Sequence, residues 1–146
     1  MSLLSCGSNS TSVNNEDIET DKVEVVSVST TGNENNYTFS VGIKSPDTGC
    51  DQYANWWEVI TEEGNLIYRR ILGHSHVNEQ PFIRSGGSVA ISENQIVIVR
   101  AHMNTSGFGI KTYKGSVTSG FSAFETDVNF ALDLANVTPL PTGCAF

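Results

Sequence analysis

The chain has 146 residues, 38% of them hydrophobic, and a formal net charge of -8. That length suits one domain of ordinary size, with a core large enough to fold without a metal. The acidic balance argues against nucleic acid as a partner. No apolar run approaches ~18 residues, so no membrane-spanning helix is expected. The charge is unevenly placed. Residues 1–35 hold Glu16, Asp17, Glu19, Asp21, Glu24 and Glu34 against Lys22 alone. Residues 66–120 hold Arg69, Arg70, Arg84, Arg100, Lys111 and Lys114 against Glu79 and Glu93.

At the N-terminus, Leu3-Leu4-Ser5-Cys6 precedes a run from Gly7 to Glu16 that is rich in Ser and Asn. The four residues resemble the lipobox of bacterial lipoproteins, whose cysteine becomes the lipidated first residue. The resemblance implies lipid attachment at Cys6, with residues 1–20 as anchor site and mobile tether and 21–146 as one folded domain. It also implies an exported protein of the cell envelope that meets the membrane only through its lipid. Only Met1 and Ser2 precede the motif, so the expectation is a sequence trimmed near the natural cleavage site and given a new start.

With Cys6 lipidated, Cys50 and Cys144 remain as an even pair, each in a Thr-Gly-Cys setting. An oxidising compartment would allow a disulfide between them, pinning the C-terminus to the loop before Trp56. No CxxC or Cys/His spacing suits a zinc finger.

From Lys22 the chain reads as strands. Lys22–Ser29 and Tyr37–Lys44 alternate apolar and polar residues, with Tyr37, Phe39, Val41 and Ile43 on one face. Trp56–Thr61 and Leu66–Leu72 flank Glu62-Glu-Gly-Asn65, a hairpin with a Gly-Asn turn. Ser88–Ser92, Gln95–Met103 and Phe108–Lys114 follow. Strands at this spacing indicate an all-β sandwich of about seven strands. A tryptophan early in the central hairpin resembles immunoglobulin-like and fibronectin-like domains in architecture. Phe121, Phe124, Val128 and Leu132 recur at helical spacing, which predicts a short helix over 123–135 resting on the sheet. Pro139 and Pro141 then impose an extended exit toward Cys144.

Gly73 to Pro81 carries the strongest chemical signal. His74 and His76 would share a face in an extended chain, and a neighbouring strand could bring His102 beside them. Three neutral imidazoles can hold zinc or copper with a position left open, so His74, His76 and His102 are the candidate metal ligands. The spacing is similar to the zinc ligands of α-type carbonic anhydrases, a His-x-His on one strand and a third His on its neighbour. His74, His76, Glu79 and Gly86 also follow the order of the first cupin motif, but one residue too few separates His76 from Glu79, and the second motif is absent. Arg70, Arg84 and Arg100 surround the same stretch, and strand parity places Arg70 with His74 and Arg100 with His102. Such a rim would suit a small anionic ligand. The plainer alternative is that the arginines pair with Glu58, Glu62 and Glu63 across the sheet. Trp56 and Trp57, with Tyr53 and Phe108, are candidate aromatic contacts for a glycan or protein partner.

No Gly-x-Ser-x-Gly, P-loop or Gly-x-Gly-x-x-Gly occurs, and in the C-terminal half no carboxylate pairs with an apolar setting that would suit glycoside hydrolysis. Asn-x-Ser/Thr triplets at Asn9, Asn36, Asn104 and Asn136 would mark surface segments in a eukaryotic secreted chain, and beside a bacterial lipobox they carry no assignment. The expected function is a non-catalytic binding or structural module of the envelope. The alternative is a metal-binding protein.

Overall fold

The computed structural model describes residues 22–146, so Cys6 and the tether over 1–20 lie outside the described residues. Nine strands form: β1 (Glu24–Asn33), β2 (Asn36–Lys44), β3 (Ala54–Thr61), β4 (Leu66–Ile71), β5 (Phe82–Val89), β6 (Val97–Met103), β7 (Gly107–Phe108), β8 (Lys111–Ser116) and β9 (Gly120–Glu125). Hydrogen bonding runs β4-β3-β6-β8-β1-β2-β5, with β7 on β6 and β9 on β8. β1 and β8 meet at one parallel position, Glu24 with Lys111. There the ribbon turns over, so β1-β2-β5 packs against β4-β3-β6-β8. In the lettering of immunoglobulin-like domains these layers are A-B-E and C′-C-F-G, with a buried tryptophan, Trp57, on strand C. The fold is an immunoglobulin-like β-sandwich.

Alternation builds the core between the layers. Tyr37, Phe39, Val41 and Ile43 point inward from β2 and meet Trp57 and Val59 of β3 and Val97, Val99, Ala101 and Met103 of β6. The expected hairpin is present, and Gly64 in its turn adopts φ 89°, a left-handed conformation that costs glycine little.

Both β3 and β6 are buried on both faces, which a two-layer sandwich alone does not require. The outer face of β3 and β6 carries a second apolar cluster: Trp56, Ile60, Ile98, Phe108 and Leu134. Residues 126–146, here termed the strap, cross that face. Their path is fixed at the start by Thr126 N–H donating to Ile110 O (3.0 Å), and at the end by Ala145 N–H donating to Gly73 O (2.9 Å) and Ser75 N–H donating to Phe146 O (2.7 Å).

The strap corrects the expected helix over 123–135. Only Leu132–Asn136 is helical, as a short 3-10 turn, and 120–125 is strand β9. β8 offers an open backbone edge, and residues 120–125 pair with all of it from Lys111 to Ser116. Those ladder bonds outweigh the weak preference of a short isolated helix. Phe121 sits at helical spacing from Phe124 yet packs edge-on against Phe39 of the core, with ring centroids 5.6 Å apart. The strand expected at 88–92 lies earlier, at Phe82–Val89, where its pairing with β2 continues the A-B-E layer.

A Cys50–Cys144 disulfide closes a sequence separation of 94 and ties the loop before β3 to the strap. Chain entropy alone sets roughly 4–5 kcal/mol for such a loop, and natural bonds commonly give about 2–4. Reduction is expected to lower Tm by about 10 °C, taking roughly 2–4 °C per kcal/mol at this size. Calorimetry with and without reductant checks this, and an unchanged Tm with both thiols free would refute it.

Candidate functional site

Two polar centres lie within the described residues, one under the strap and one at the end of the sandwich. The first follows from register. The β3–β4 hairpin sets Glu58 opposite Arg69, and β6 sets Arg100 opposite Glu58 on the other side. All three side chains are buried on the outer face. Glu58 Oε1 accepts from Arg69 Nε (2.8 Å) and from Trp56 Nε1 (2.9 Å), and Oε2 accepts from Arg100 Nε (2.9 Å). One carboxylate thus faces two guanidinium groups. The remaining N–H groups reach the strap backbone. Arg69 donates to the carbonyls of Leu134 (2.7 Å), Pro139 (2.9 Å) and Val137. Arg100 donates to those of Phe130 and Ala131, both at 2.8 Å. Each guanidinium also lies over a ring, Arg69 4.3 Å from the Trp56 centroid and Arg100 3.5 Å from Phe108. The arrangement clamps the strap.

His102 belongs to this centre. It stacks on Trp56 with centroids 3.7 Å apart and planes 4° from parallel, and meets Phe108 edge-on. Its Nδ1–H donates to Asn55 Oδ1 at 2.7 Å, because that oxygen can only accept. Burial, with added repulsion from Arg69 and Arg100, pushes its pKa down to about 3. His102 is therefore a neutral structural ring.

The second centre is a column of rings. Phe82 stacks on His76 (3.8 Å), His76 lies against His74 (4.4 Å) and His74 against Phe146 (4.8 Å). His74 Nδ1–H donates to Ser75 O (2.8 Å). Asp47 holds the turn by accepting the His76 backbone N–H (2.8 Å), while neither ring nitrogen of His76 has a hydrogen-bond partner among the described residues. Burial lowers the His76 pKa, aided by Arg84 and His74. An open cleft of about 470 Å³ beside the column is lined by Gly49, His74, His76, Val77, Glu79 and Phe146.

These contacts separate the three histidines expected to share zinc or copper. His74 and His76 do come together, but in a loop outside the sheet, so strand parity does not carry to them. His102 is enclosed by Trp56, Phe108 and Asn55. Among the described residues no group of three or more His, Cys, Asp or Glu side chains is placed to hold a metal ion.

The arginines divide as well. Arg100 does share the outer face with His102, but its donors go to Glu58 and the strap. Arg70 donates to Ser85 O (3.0 Å) and Ile71 O (2.5 Å), spanning from β4 to the edge of β5. Arg84 pairs with Glu79 at 2.9 Å. Trp56, Trp57, Tyr53 and Phe108 are all buried, so none of them offers the exposed ring that was expected. Arg69 was not among the expected site residues; the hairpin closes Thr61 on Asn65, and a register shift between Val59 and Ile60 sets Arg69 opposite Glu58.

Comparison with known proteins gives one informative relative. Over 71 residues the chain is 41% identical to a Halomicrobium mukohataei protein named "Putative lipoprotein". The match covers 49% of this chain and 35% of that protein, so the chain spans about a third of the length of the curated relative it matches. No family model matches, and no solved structure matches.

Proposed function

We propose that this chain is an exported, lipid-anchored module of the cell envelope, with residues 1–20 as anchor site and tether and residues 21–146 as a non-catalytic binding or structural domain. The carrying observation is cysteine parity. Cys50 and Cys144 are joined, which leaves Cys6, within Leu3-Leu4-Ser5-Cys6, as the cysteine available for lipid. A disulfide also suits an oxidising compartment, and the relative's name agrees with the anchor. A structural role accords with the interior. Glu58 is saturated by guanidinium and indole donors, and His102 is held neutral by burial. Among the described residues neither is paired with a nucleophile. The cleft beside His74 and Phe146 is the seat a small ligand would use, and the acidic balance disfavours nucleic acid there.

The test is fractionation of the full-length protein in its native host. The wild type is expected in the membrane pellet and the detergent phase, and the Cys6→Ser variant in the soluble exported fraction. A Cys6→Ser protein that stays with the membrane refutes the anchor.

A further inference from the structure

We propose that the free edge of β9 is an interface on which a second copy of this chain pairs its own β9, antiparallel, so that two domains share one sheet. The ladder with β8 fixes which backbone groups are left over. Thr126 N–H donates to Ile110 O (3.0 Å), and the same register pairs Phe124 with Thr112, Ser122 with Lys114 and Gly120 with Ser116. In an antiparallel ladder only alternate residues bond toward a given neighbour. Gly120, Ser122 and Phe124 therefore bond to β8, and the N–H and C=O groups of Phe121, Ala123 and Glu125 point away from it. Among the described residues no hydrogen bond reaches these groups. Ala123 and Glu125 are exposed, so the edge is open.

The other edges are blunted. β4 and β5 lie against each other: Arg70 Nε donates to Ser85 O (3.0 Å), and Tyr68 Oη fills the place where a Cβ on Gly86 would sit. The pairing that holds β5 on β2 also shifts in register between Tyr37 and Phe39. β1 is irregular between Val25 and Ser27, and Val26 O accepts from Tyr113 Oη (2.7 Å). Bulges and side-chain cover are the devices by which sheets protect their edges. β9 has neither. It pairs with β8 over all six of its positions without a shift, and it contains no proline, lysine or arginine. An edge of that kind is a template for another strand.

The strand is complementary to itself. A two-fold axis at Ala123 sets that residue opposite its own counterpart, and sets Phe121 of one copy opposite Glu125 of the other, all as hydrogen-bonded pairs. Between them Ser122 of one copy faces Phe124 of the other. Methyl meets methyl on the axis, the large ring meets a small side chain, and no two like charges are opposed. The Phe124 ring, exposed and 4.6 Å from Lys114 Nζ, gains cover from the second copy. One shared strand pair is a small interface, so the dimer is weak, with a Kd on the order of 100 μM.

The test uses the full chain carrying Cys6→Ser, so that neither lipid nor the Cys6 thiol can join two copies. Sedimentation equilibrium up to about 1 mM is expected to show monomer and dimer in exchange. The Ala123 N–H is not used by β8, so Ala123→Pro leaves that ladder intact. The dimer, however, loses both hydrogen bonds of its central pair and weakens roughly 30-fold. Ala123→Lys should weaken it too, by setting like charges face to face, and it decides the matter should the proline variant not fold. Ala123→Cys is expected to give a covalent dimer on mild oxidation, because the Cα atoms of such a pair lie about 5.5 Å apart, within disulfide reach. Ser92→Cys, exposed in the turn before β6, should stay monomeric. A chain that remains monomeric to about 1 mM, a dimer unchanged by both Ala123→Pro and Ala123→Lys, or crosslinking as ready at Ser92→Cys as at Ala123→Cys overturns the proposal.

Discussion

Glu58→Ala is expected to destabilise the domain by about 3–5 kcal/mol, the range for removing one partner of a buried ion pair. The deletion strands two guanidinium groups in a dry layer and leaves the Trp56 N–H without an acceptor. A domain of this kind has a total stability of about 5–15 kcal/mol, so the loss is a large fraction of it. Urea titration of wild type and variant measures the difference. A loss below about 1 kcal/mol would show that solvent already reaches the clamp. Replacing all three charges together, as Glu58→Met, Arg69→Leu and Arg100→Leu, separates charge burial from strap anchorage. Apolar substitutes of similar volume can match a buried ion network in stability. The strap would still lose the donors to five carbonyls. The triple variant is therefore expected to keep most of its stability while amide exchange rises over residues 130–139.

Acid should unfold the protein through His102. In the folded state its pKa is about 3, against roughly 6.5 for an exposed imidazole. Above pH ~6.5 both folded and unfolded forms are neutral, and His102 gives stability no pH dependence. Between ~6.5 and about 3 the unfolded chain binds a proton that the folded one refuses, so stability falls as pH falls, by roughly 1.4 kcal/mol per pH unit in the steep part. The full loss is of order 4–5 kcal/mol, and His76, whose pKa is also lowered, acts in the same direction. His102→Phe keeps the stack on Trp56 but cannot be protonated. It should cost about 1–3 kcal/mol at pH 7, because Asn55 Oδ1 loses its donor, and its stability should fall less steeply between pH 6.5 and 4. Parallel slopes for the two proteins across that window would refute the assignment.

Much of the clamp could be read from the residues. Pairing Thr61 with Leu66 across a turn at 62–65 would put Glu58 opposite Arg69, the partner it has, although the hairpin reaches that register through a shift between Val59 and Ile60. Period-two alternation along Gln95–Met103 sends Ile98, Arg100 and His102 to the face opposite Val97, Val99 and Ala101. The pairing of arginines with Glu58 across a sheet follows from that geometry. What the pattern hid was the cover on that outer face. A sandwich strand normally turns its polar side to water, so Arg100 and His102 read as available to a ligand or metal. They are buried because a distant segment lies over them, and its Phe and Leu spacing suggested a helix. β5 was misplaced because Arg84-Ser-Gly-Gly87 looks like a loop, and only its pairing with β2 makes it a strand. The histidine pair was legible as a pair, but its separation from His102 was not, since a loop after β4 obeys no strand parity.

The strap also sets an order of assembly. Arg69 and the carbonyl of Pro139 are 70 positions apart, and the disulfide spans 94. Such distant contacts form late, because the entropy of closing the loop must be overcome first. During N-to-C synthesis the sheets can pair before residues 130–146 arrive, yet their outer face then shows Trp56, Phe108 and a charged cluster to solvent. Until the final stretch docks, the domain is a sticky, half-finished sandwich whose exposed apolar face favours association with other chains.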